Sequence, residues 1–405
     1  MRILVVSNLY PPYYLGGHEL VCARIVDALR SRGHDVRVLT SSRGLRRPQR
    51  QRQVARLLKI SFAFDGTRRN PGALLAWRLW NRFVLQAVAN DVKPDVIYVF
   101  NLIGLGAFML DWLQSQSVPV VYDIGDEWLI HAYRSDMWYG ARSNLPRTNL
   151  ERMAKSTVLA LATPLLTPAP LDLSKAYFVS AYLRRQFVSA GFPVAHAPVI
   201  HPGLRPDDFT AHDGPNVGEG IVVSGRLTPE KGVHVFLEAL HLLKMSPTFQ
   251  RRRVTIIGPV IEQEYREQLQ ALADGLEPHI TVCFIGHLPR SKALEVMREH
   301  GVFVFPALWD EPFGTVVLEA LVEGLAVVAT ATGGAAEILT DEENCLVVPK
   351  DDAGALARAL QRLMDDATLR RHISSTAPEV MRRFDFERNI DLIEEHIARA
   401  LGDAG

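Results

Sequence analysis

The chain has 405 residues, of which 48% are hydrophobic and 22% are charged. This length predicts two or three domains, each able to bury its own core, and the composition excludes a disordered chain, a collagen-like fibre and a disulfide scaffold. The formal net charge is zero, yet residues 1–204 carry 25 Lys and Arg against 13 Asp and Glu, whereas residues 205–405 carry 20 against 32. Two halves of opposite charge indicate two domains with different tasks.

The chain starts with a strand-like segment, MRILVV, which is not typical of a signal peptide. Its uncharged stretches are shorter than the roughly 18 residues of a membrane-spanning helix. Three widely separated cysteines without a C-x-x-C pair favour a reducing compartment. We therefore predict a cytoplasmic protein.

Strands and helices alternate through the first half. The pattern predicts a helix over His18–Ser31 and strands at Ile3–Ser7, Val36–Thr40, Val96–Phe100 and Val118–Tyr122. Such alternation is typical of a parallel sheet covered by helices on both faces. The stretch Pro202–Glu219 is rich in Pro, Gly and Asp and is typical of a linker between domains.

The same alternation returns in the second half. The predicted elements are strand Ile221–Ser224, helix Val233–Lys244, strand Val254–Ile257, helix Glu262–Ala273, strand Thr281–Ile285, helix Lys292–Glu299, strand Phe303–Pro306, helix Thr315–Glu323, strand Ala326–Thr330 and helix Phe386–Leu401. We therefore predict two doubly wound, Rossmann-like α/β domains, 1–204 and 205–384, which face a deep cleft. The final segment, 385–405, is predicted to pack back on the first domain.

Two motifs carry candidate chemistry. The first, GRLTPEKG, follows strand Ile221–Ser224 and brings Arg226 and Lys231 close to a helix N-terminus, an arrangement suited to a diphosphate. A solvated surface loop is the alternative. The second, EPFGTVVLEA, starts with Glu311 and opens a helix at Thr315 with Glu319 one turn further on. Because that helix is apolar nearly all round, Glu319 is expected to be buried and available to ribose hydroxyls.

Together these motifs resemble the retaining family-4 glycosyltransferases of GT-B fold. The downstream TGGAAEIL and the N-terminal segments YPPYYLGGHEL, RGHDVRVLTS and KPDVIYVF resemble the same family. The resemblance implies a role for each matching position. It assigns the donor diphosphate to Arg226, Lys231, Gly16, Gly17, Thr315 and Val316, the ribose to Glu319, the transferred sugar to Glu311, Phe313 and Gly314, and the nucleobase to His287 and Leu288.

One position departs from the family. Where its members carry His-Asp after the fourth strand, this chain has Gly125 and Asp126. An imidazole at position 125 is therefore excluded, and either the bare carbonyl of Gly125 faces the sugar or the glycine marks an ordinary turn. We count Gly125, Asp126 and Glu311 as the candidate catalytic positions.

No metal or other cofactor is expected. The chain contains no D-x-D pair and no H-E-x-x-H spacing. Fixed cations and a helix N-terminus can stabilise the departing diphosphate without a metal. The prediction is a metal-independent, retaining transferase that uses a nucleotide-sugar donor and a saccharide or lipid-linked acceptor. A sugar-nucleotide epimerase and a catalytically weak binding subunit are the alternatives.

The segment Arg43–Lys59 has seven cations and no acid. It could attach the protein peripherally to an anionic membrane at the inner face, whereas a solvated loop and helix face is the simpler interpretation. The opposite charges of the two halves could instead draw the domains together. Nucleic acid is not an expected partner, because the basic segment has no interleaved aromatic residues.

Overall fold

The computed structural model describes residues 1–45, 47–61, 71–135, 171–209, 218–249 and 252–402. The chain divides into two compact units. Unit 1 comprises Met1–Ile200 together with the chain from Ile390 onward, and unit 2 comprises His201–Asn389. The sequence analysis set the corresponding boundary at residue 204.

Unit 1 is built on a parallel sheet. Its elements are β1 (Arg2–Ser7), α1 (Gly17–Ser31), β2 (Asp35–Ser41), β3 (Gln49–Arg50), β4 (Val54–Leu58), α2 (Pro71–Val92), β5 (Val96–Asn101), α3 (Ala107–Gln114), β6 (Val120–Ile124), α4 (Trp128–Ser135), β7 (Ala176–Phe178) and α5 (Ala181–Ser189). The strand order is β3-β4-β2-β1-β5-β6-β7, and β1 pairs in parallel with both β2 and β5. Strand β1 is buried from its second residue onward, as expected for a central strand covered on both faces.

The basic segment Arg43–Lys59 contains two strands at the edge of this sheet. Strand β3 runs antiparallel to β4, which in turn pairs in parallel with β2. The interpretation of this segment as a loop and a helix face is therefore wrong. Arg56 is buried and donates hydrogen bonds to the carbonyl oxygens of Tyr10 and Pro11, so this cation serves the fold. The sequence pattern did not predict these short strands, because their residues show little alternation of apolar and polar side chains.

The last helix joins the two units. Helix α13 spans Phe386–Gly402, and its residues from Ile390 onward belong to unit 1. Arg32 donates to Asp391 at 2.7 Å, and His34 lies 2.6 Å from a carboxylate oxygen of Glu394. These ion pairs hold the helix against the segment between α1 and β2.

Unit 2 repeats the parallel α/β design. Its elements are β8 (Gly220–Ser224), α6 (Val233–Leu243), β9 (Arg252–Ile257), α7 (Gln263–Asp274), β10 (Ile280–Gly286), α8 (Arg290–Arg298), β11 (His300–Phe305), α9 (Thr315–Val322), β12 (Ala326–Ala329), β13 (Leu346–Val347), α10 (Ala353–Asp365), α11 (Ala367–Ser374) and α12 (Ala377–Arg383). The strand order is β10-β9-β8-β11-β12-β13. The order reverses between β8 and β11, and a doubly wound sheet binds its ligands beyond the carboxyl ends of such neighbouring strands.

Part of the predicted linker is a fixed part of unit 2. The N–H of Leu204 donates to Phe384 at 2.8 Å, and the N–H of Phe386 donates back to Leu204 at 3.1 Å. A side chain at Gly203 would come within 2.6 Å of the Cα of Phe386. The rest of the predicted linker, residues 210–217, lies outside the described residues.

A left-handed glycine brings the loop after β8 against the end of β11. Gly232 has φ +68°, and a Cβ at this position would overlap the carbonyl oxygen of Pro306. Only glycine combines this conformation with this close approach. Lys231, the residue before it, is thereby held beside the chain that follows β11.

Replacing Gly232 tests this constraint. We expect Gly232→Ala to lower the free energy of unfolding by more than about 2 kcal/mol, because the methyl group adds a steric overlap to the unfavourable φ. Urea unfolding followed by circular dichroism measures the change.

Gly286→Ala is the matched control. Gly286 also has a positive φ, +83°, but its Cβ would meet no atom within 4 Å. This variant should show only the conformational cost of about 1 kcal/mol. Equal losses in the two variants would show that the contact with Pro306 is not a constraint.

Candidate active site

Lys231 and Glu311 form an ion pair where the loops after β8 and β11 meet. The ammonium group contacts Oε1 of Glu311, and both side chains are largely buried, at 17% and 9% exposed. The same ammonium lies 5.0 Å from the ring centroid of Trp309. The structure therefore joins the two sequence motifs through their charged residues.

The second motif opens α9 as predicted. Gly314 precedes the helix in a left-handed conformation, φ +90°, so the N–H groups of Thr315 and Val316 belong to the first turn and have no carbonyl partner within the helix. Phe313 is 4% exposed, and its ring stacks on His201 with centroids 5.3 Å apart. The side chain of Phe313 is a core group, so only its backbone is available to a ligand.

Glu319 is held by an arginine that the sequence analysis did not single out. Nε of Arg290 lies 2.5 Å from Oε1 of Glu319, and Nη1 of Arg290 lies 2.8 Å from Asp208. Burial alone would lower the pKa of Arg290, but the charges and hydrogen bonds of Glu319 and Asp208 raise it. Glu319 is largely rather than fully buried, at 12% exposed, and it has a cationic partner.

Arg226 has no side-chain partner among the described residues of unit 2. In the described part of unit 2, its guanidinium makes neither a hydrogen bond nor an ion pair, and the residue is half-buried. The N–H of Gly225, immediately before it, donates to Ile257 at 2.9 Å and fixes the start of the loop. The predicted nucleobase residues follow β10, where His287 is exposed and Leu288 is half-buried.

Unit 1 has a buried polar network at the carboxyl end of β6. Asp123 accepts from the hydroxyl of Tyr177 at 2.6 Å, and its other oxygen lies 3.2 Å from Nε2 of His18. Tyr177 is in turn hydrogen-bonded to Tyr98. Burial alone would lower the pKa of His18, but the hydrogen bond to Asp123 and the nearby carboxylates raise it from 6.5 to about 9. The network therefore favours the imidazolium form of His18.

Gly125 lies beside this imidazolium. A Cβ at position 125 would lie within 2.7 Å of three ring atoms of His18, so the ring occupies the space that a side chain there would need. Asp126 accepts from Asn101 at 2.9 Å and from the N–H of Trp128 at 2.7 Å. Burial raises the pKa of Asp126. Gly125 therefore lies against the ring of His18, with no space for a side chain.

The glycines at the start of α1 have different environments. The N–H of Gly16 donates to the side chain of Glu19 at 3.0 Å, whereas a Cβ at Gly17 would meet nothing within 4 Å. Both glycines are exposed. Gly17 thus has an unobstructed backbone at the start of α1.

Two family models match this chain in succession. The model "Glycosyltransferase Family 4" matches residues 15–208, and the model "Glycosyl transferases group 1" matches residues 207–380. The chain is a family-4 glycosyltransferase. It is accordingly a glycosyl-transfer enzyme of GT-B fold, with two parallel-sheet domains, as the motifs predicted.

Known proteins resemble this glycosyltransferase over different lengths. A 42.6 kDa protein in the cps region of Klebsiella pneumoniae is 24% identical over 353 residues, which cover 84% of this chain and 87% of that protein. Phosphatidyl-myo-inositol mannosyltransferase of Mycolicibacterium smegmatis is 34% identical over 173 residues, 42% of this chain and 43% of that protein. The structure of Anabaena Alr3699/HepE in complex with UDP-glucose superposes with a TM-score of 0.68 at 20% identity, covering 98% of this chain and 99% of that chain.

None of the described helices has the length and apolar character that crossing a membrane would require. The described side chains also contain no group of three or more His, Cys, Asp or Glu arranged to hold a metal ion.

The sequence analysis missed Arg290, His18 and Asp123. Arg290 was placed in a loop because the predicted helix started at Lys292, whereas α8 starts two residues earlier. A cation in the first turn of a helix is unfavourable without a carboxylate nearby. The place of Arg290 at a helix start was therefore the sequence signal that it has a carboxylate partner. His18 follows two glycines directly, but its partner Asp123 lies 105 residues further along the chain.

The charge of His18 can be tested by a titration. We expect histidine side-chain ¹⁵N NMR to show a pKa of about 9 for His18. Since this value lies above the ordinary 6.5, the pair with Asp123 stabilises the fold fully below pH 6.5 and loses its effect as the pH rises through about 9.

The variant Asp123→Asn isolates the cause. Burial lowers the pKa of His18, and without the charge of Asp123 fewer carboxylates oppose this effect. The pKa of His18 should therefore fall by about one unit or more. Asp95→Asn, which removes a carboxylate paired with Arg2 instead, should leave it unchanged. An unchanged pKa in Asp123→Asn would contradict the assignment.

Proposed function

We propose that this glycosyltransferase moves a sugar from a nucleoside-diphosphate donor to a saccharide or lipid-linked acceptor, with retention of configuration and without a metal ion. The observation that carries the proposal is the pair of buried carboxylates, Glu311 and Glu319, each held by one cation beside β8 and β11. Two carboxylates can accept hydrogen bonds from the hydroxyls of two sugar rings. The cations that hold these carboxylates can bind the phosphates that join those rings.

The proposed chemistry follows from these charges. The bond between the sugar C1 and the phosphate oxygen breaks, the acceptor oxygen bonds to C1 on the same face, and the acceptor proton goes to the departing phosphate. Arg226, Lys231 and the first turn of α9, with Thr315 and Val316, stabilise the charge that develops on that phosphate. No enzymic nucleophile is needed in this sequence of steps.

The remaining residues are assigned to different parts of the donor. Glu319 binds the ribose, and Glu311 binds the transferred sugar together with the backbone of Phe313 and Gly314. His287 and Leu288, at the end of β10, lie beside the nucleobase. Gly16 and Gly17 remain the predicted phosphate-facing residues of unit 1.

The named neighbours support the choice of ligand class. The Anabaena structure is of a complex with UDP-glucose, and the Mycolicibacterium relative is named a mannosyltransferase that acts on phosphatidyl-myo-inositol. In the described part of unit 2, the indole N–H of Trp309 and Nη2 of Arg290 are buried without a hydrogen-bond partner. Buried polar atoms of this kind are rare away from binding sites.

The central experiment is a donor screen. We expect one of UDP-glucose, GDP-mannose, ADP-glucose and dTDP-glucose to raise the thermal stability, since a bound ligand stabilises by mass action. With that donor in excess EDTA, Lys231→Ala or Arg226→Ala should reduce turnover on the order of 10²–10³-fold. Wild-type rates in both variants would remove the assignment, and loss of wild-type activity in EDTA would contradict metal independence.

Lys292→Ala is the matched control for this screen. Lys292 is also a lysine paired with a carboxylate, Glu295, but it is 61% exposed on α8. This variant should keep the wild-type rate. Epimerisation of the donor, or binding without turnover, would instead support the epimerase or the binding subunit.

The two carboxylates should behave differently. We expect Glu319→Ala to weaken the free nucleoside diphosphate as well as the sugar donor, since ribose is present in both. Glu311→Ala should not weaken the binding of the free diphosphate and should reduce sugar transfer. Isothermal titration calorimetry and a transfer assay measure the two effects.

A third carboxylate of the same region is the control. Glu323 has no exposed side-chain surface and pairs with Arg298 through two hydrogen bonds of 2.7 and 2.8 Å. Glu323→Gln should alter stability and leave nucleotide affinity as in the wild type. Identical profiles for the Glu319 and Glu311 variants would refute the division of roles.

We further propose that the edge of unit 1 attaches peripherally to an anionic membrane at the cytoplasmic face. Arg47, Arg50 and Arg52 are exposed on the β3–β4 segment, although Arg50 also contacts Asp91 at 2.9 Å. The adjoining helix α2 exposes a stripe of large apolar side chains, Leu79, Trp80 and Phe83, at 50%, 44% and 64%. Trp80 donates to the carbonyl of Leu57, so the stripe and the basic strands are neighbours. Exposed aromatic groups beside arginines suit a membrane interface.

Vesicle co-sedimentation tests the attachment. We expect binding to anionic but not neutral vesicles, weakened by high salt and by joint replacement of Arg47, Arg50 and Arg52 with Gln, since each cation contributes about 1 kcal/mol near such a surface. Joint replacement of the exposed unit 2 cations Arg253, Lys292 and Arg362 is the matched control. Indifference to both vesicle types would support a soluble acceptor and a charge asymmetry that acts between the domains.

A further inference from the structure

Two arginine–glutamate pairs join α8 to the chain of α9. Arg290, the first residue of α8, pairs with Glu319, and Arg298, the last residue of α8, pairs with Glu323 directly after α9. All four residues belong to unit 2. The same chemical pair therefore occurs twice, once at each end of α8, with the two arginines about 12 Å apart along the helix axis.

The pair of Arg298 and Glu323 is closed. Nε of Arg298 donates to one carboxylate oxygen of Glu323 at 2.7 Å, and Nη2 donates to the other oxygen at 2.8 Å. The side chain of Glu323 has no exposed surface. This two-point geometry fixes the two side chains to each other and leaves no exposed carboxylate oxygen for a ligand.

The pair of Arg290 and Glu319 is open. Nε of Arg290 donates to Oε1 of Glu319 at 2.5 Å, whereas Nη1 donates to Asp208 at 2.8 Å instead of to the same carboxylate. In the described part of unit 2, Nη2 of Arg290 is buried without a hydrogen-bond partner, and Oε2 of Glu319 accepts no hydrogen bond. This pair therefore has one unused donor and one unused acceptor.

The guanidinium of Arg290 is held from three sides. Besides its bonds to Glu319 and Asp208, it lies over the ring of Phe209, 5.4 Å from the ring centroid. These contacts prevent Nη2 from turning toward another acceptor. A buried N–H that lacks an acceptor destabilises the protein, so the folded chain has a vacancy for an oxygen atom at this point.

The open pair lies where the sheet of unit 2 would bind a ligand. Arg290 starts the helix that follows β10, and Glu319 lies in the helix that follows β11. Helix starts after parallel strands lie at the carboxyl edge of the sheet, which is the ligand-binding edge of doubly wound domains. Arg298, in the closed pair, is at the far end of α8. The two pairs thus differ in the way that a ligand-binding role of the first would require.

A hydroxyl group fits the open pair. A carboxylate can only accept hydrogen bonds and a guanidinium can only donate them, whereas a hydroxyl does both. Oε2 of Glu319 can therefore take the proton of a hydroxyl whose oxygen accepts from Nη2 of Arg290. The carboxylates of Glu319 and Asp208 disfavour an anionic ligand here, and the charge of Arg290 disfavours a cation.

We propose that Arg290 is a ribose-binding residue, which donates its Nη2–H to the ribose hydroxyl that donates to Oε2 of Glu319. This role rests on the proposed function, because that function places the ribose at Glu319. Arg290 then makes the site selective for a nucleotide that carries this hydroxyl. An analogue without the hydroxyl would leave the donor and the acceptor unpaired together.

Nucleotides that lack one ribose hydroxyl test the role by isothermal titration calorimetry. The probe is the nucleoside diphosphate of the donor that stabilises the wild type in the screen, UDP, GDP, ADP or dTDP, compared with its 2′-deoxy and 3′-deoxy forms. For dTDP, which already lacks the 2′-hydroxyl, the comparison is with the 3′-deoxy form alone. The wild type should bind the parent nucleotide about 10- to 100-fold more tightly than at least one deoxy form.

Arg290→Met removes all the donors and keeps a side chain of similar length. We expect it to reduce the preference for the parent nucleotide by about fivefold or more. It should also weaken the free diphosphate and the sugar nucleotide by the same factor, since ribose is present in both. A merely structural arginine would instead weaken the parent and the deoxy forms alike and leave the preference unchanged.

Lysine at each end of α8 provides the matched control. Arg290→Lys keeps the charge but not the planar fork, so it should also reduce the preference. Arg298→Lys makes the same change in the closed pair, and it should alter stability while keeping the wild-type preference. If Arg290→Met fails to fold by circular dichroism, Arg290→Lys takes its place.

The outcomes distinguish this proposal from the one on which it rests. A wild type that neither binds nor consumes any of the four donors overturns the proposed function. A wild type that binds a donor but shows no preference for either hydroxyl overturns the ribose assignment of Glu319 and Arg290 together. An unchanged preference in Arg290→Met, or an equal loss of preference in Arg298→Lys, overturns only the role of Arg290.

Discussion

Three largely buried carboxylates at the carboxyl edges of the two sheets are each held by one cation, and the local structure of both units depends on these pairs. Glu311 has Lys231, Glu319 has Arg290, and Asp123 has His18. Leaving such a carboxylate buried without its partner would cost several kcal/mol. The loops must therefore end where the cations can reach, and this requirement explains the turn at Gly232 and the bare position at Gly125.

The strand order decides which loops can meet this requirement. In unit 2 the order reverses between β8 and β11, so the chain leaves these neighbouring strands toward opposite faces of the sheet and opens a space beyond their ends. Lys231 comes from one of these loops and Glu311 from the other. The reversal in unit 1 lies between β1 and β5, and His18 follows the loop after β1. Both units thus place their charged groups at the same topological position.

The sequence predicted the parts that depend on local pattern. Buried parallel strands are continuous apolar runs, so β1, β5, β8 and β12 were found within one or two residues. The short strands β3 and β7 were not, because two or three residues carry no periodicity. The predicted linker starts close to the boundary between the units, but Leu204 pairs with Phe384 and Phe386, a contact across about 180 residues that no local pattern contains. The site followed the same division: the motif residues were found, whereas Arg290, the partner of Glu319, and the pair formed by His18 and Asp123 were not.

The pairing of Lys231 with Glu311 also affects how strongly the sugar and the diphosphate of a donor would bind together. A diphosphate that attracts Lys231 would weaken the ion pair that compensates the charge of Glu311. Glu311 is only 9% exposed, so water cannot replace Lys231 as its partner. In the proposed site, a sugar hydroxyl that donates to Glu311 would replace that compensation, so the sugar and the diphosphate would each make the other easier to bind. In the proposed reaction the sugar leaves first, and Lys231 must then serve both Glu311 and a more highly charged phosphate. The same ion pair that holds the empty site together would in this way favour the complete donor over its nucleotide product.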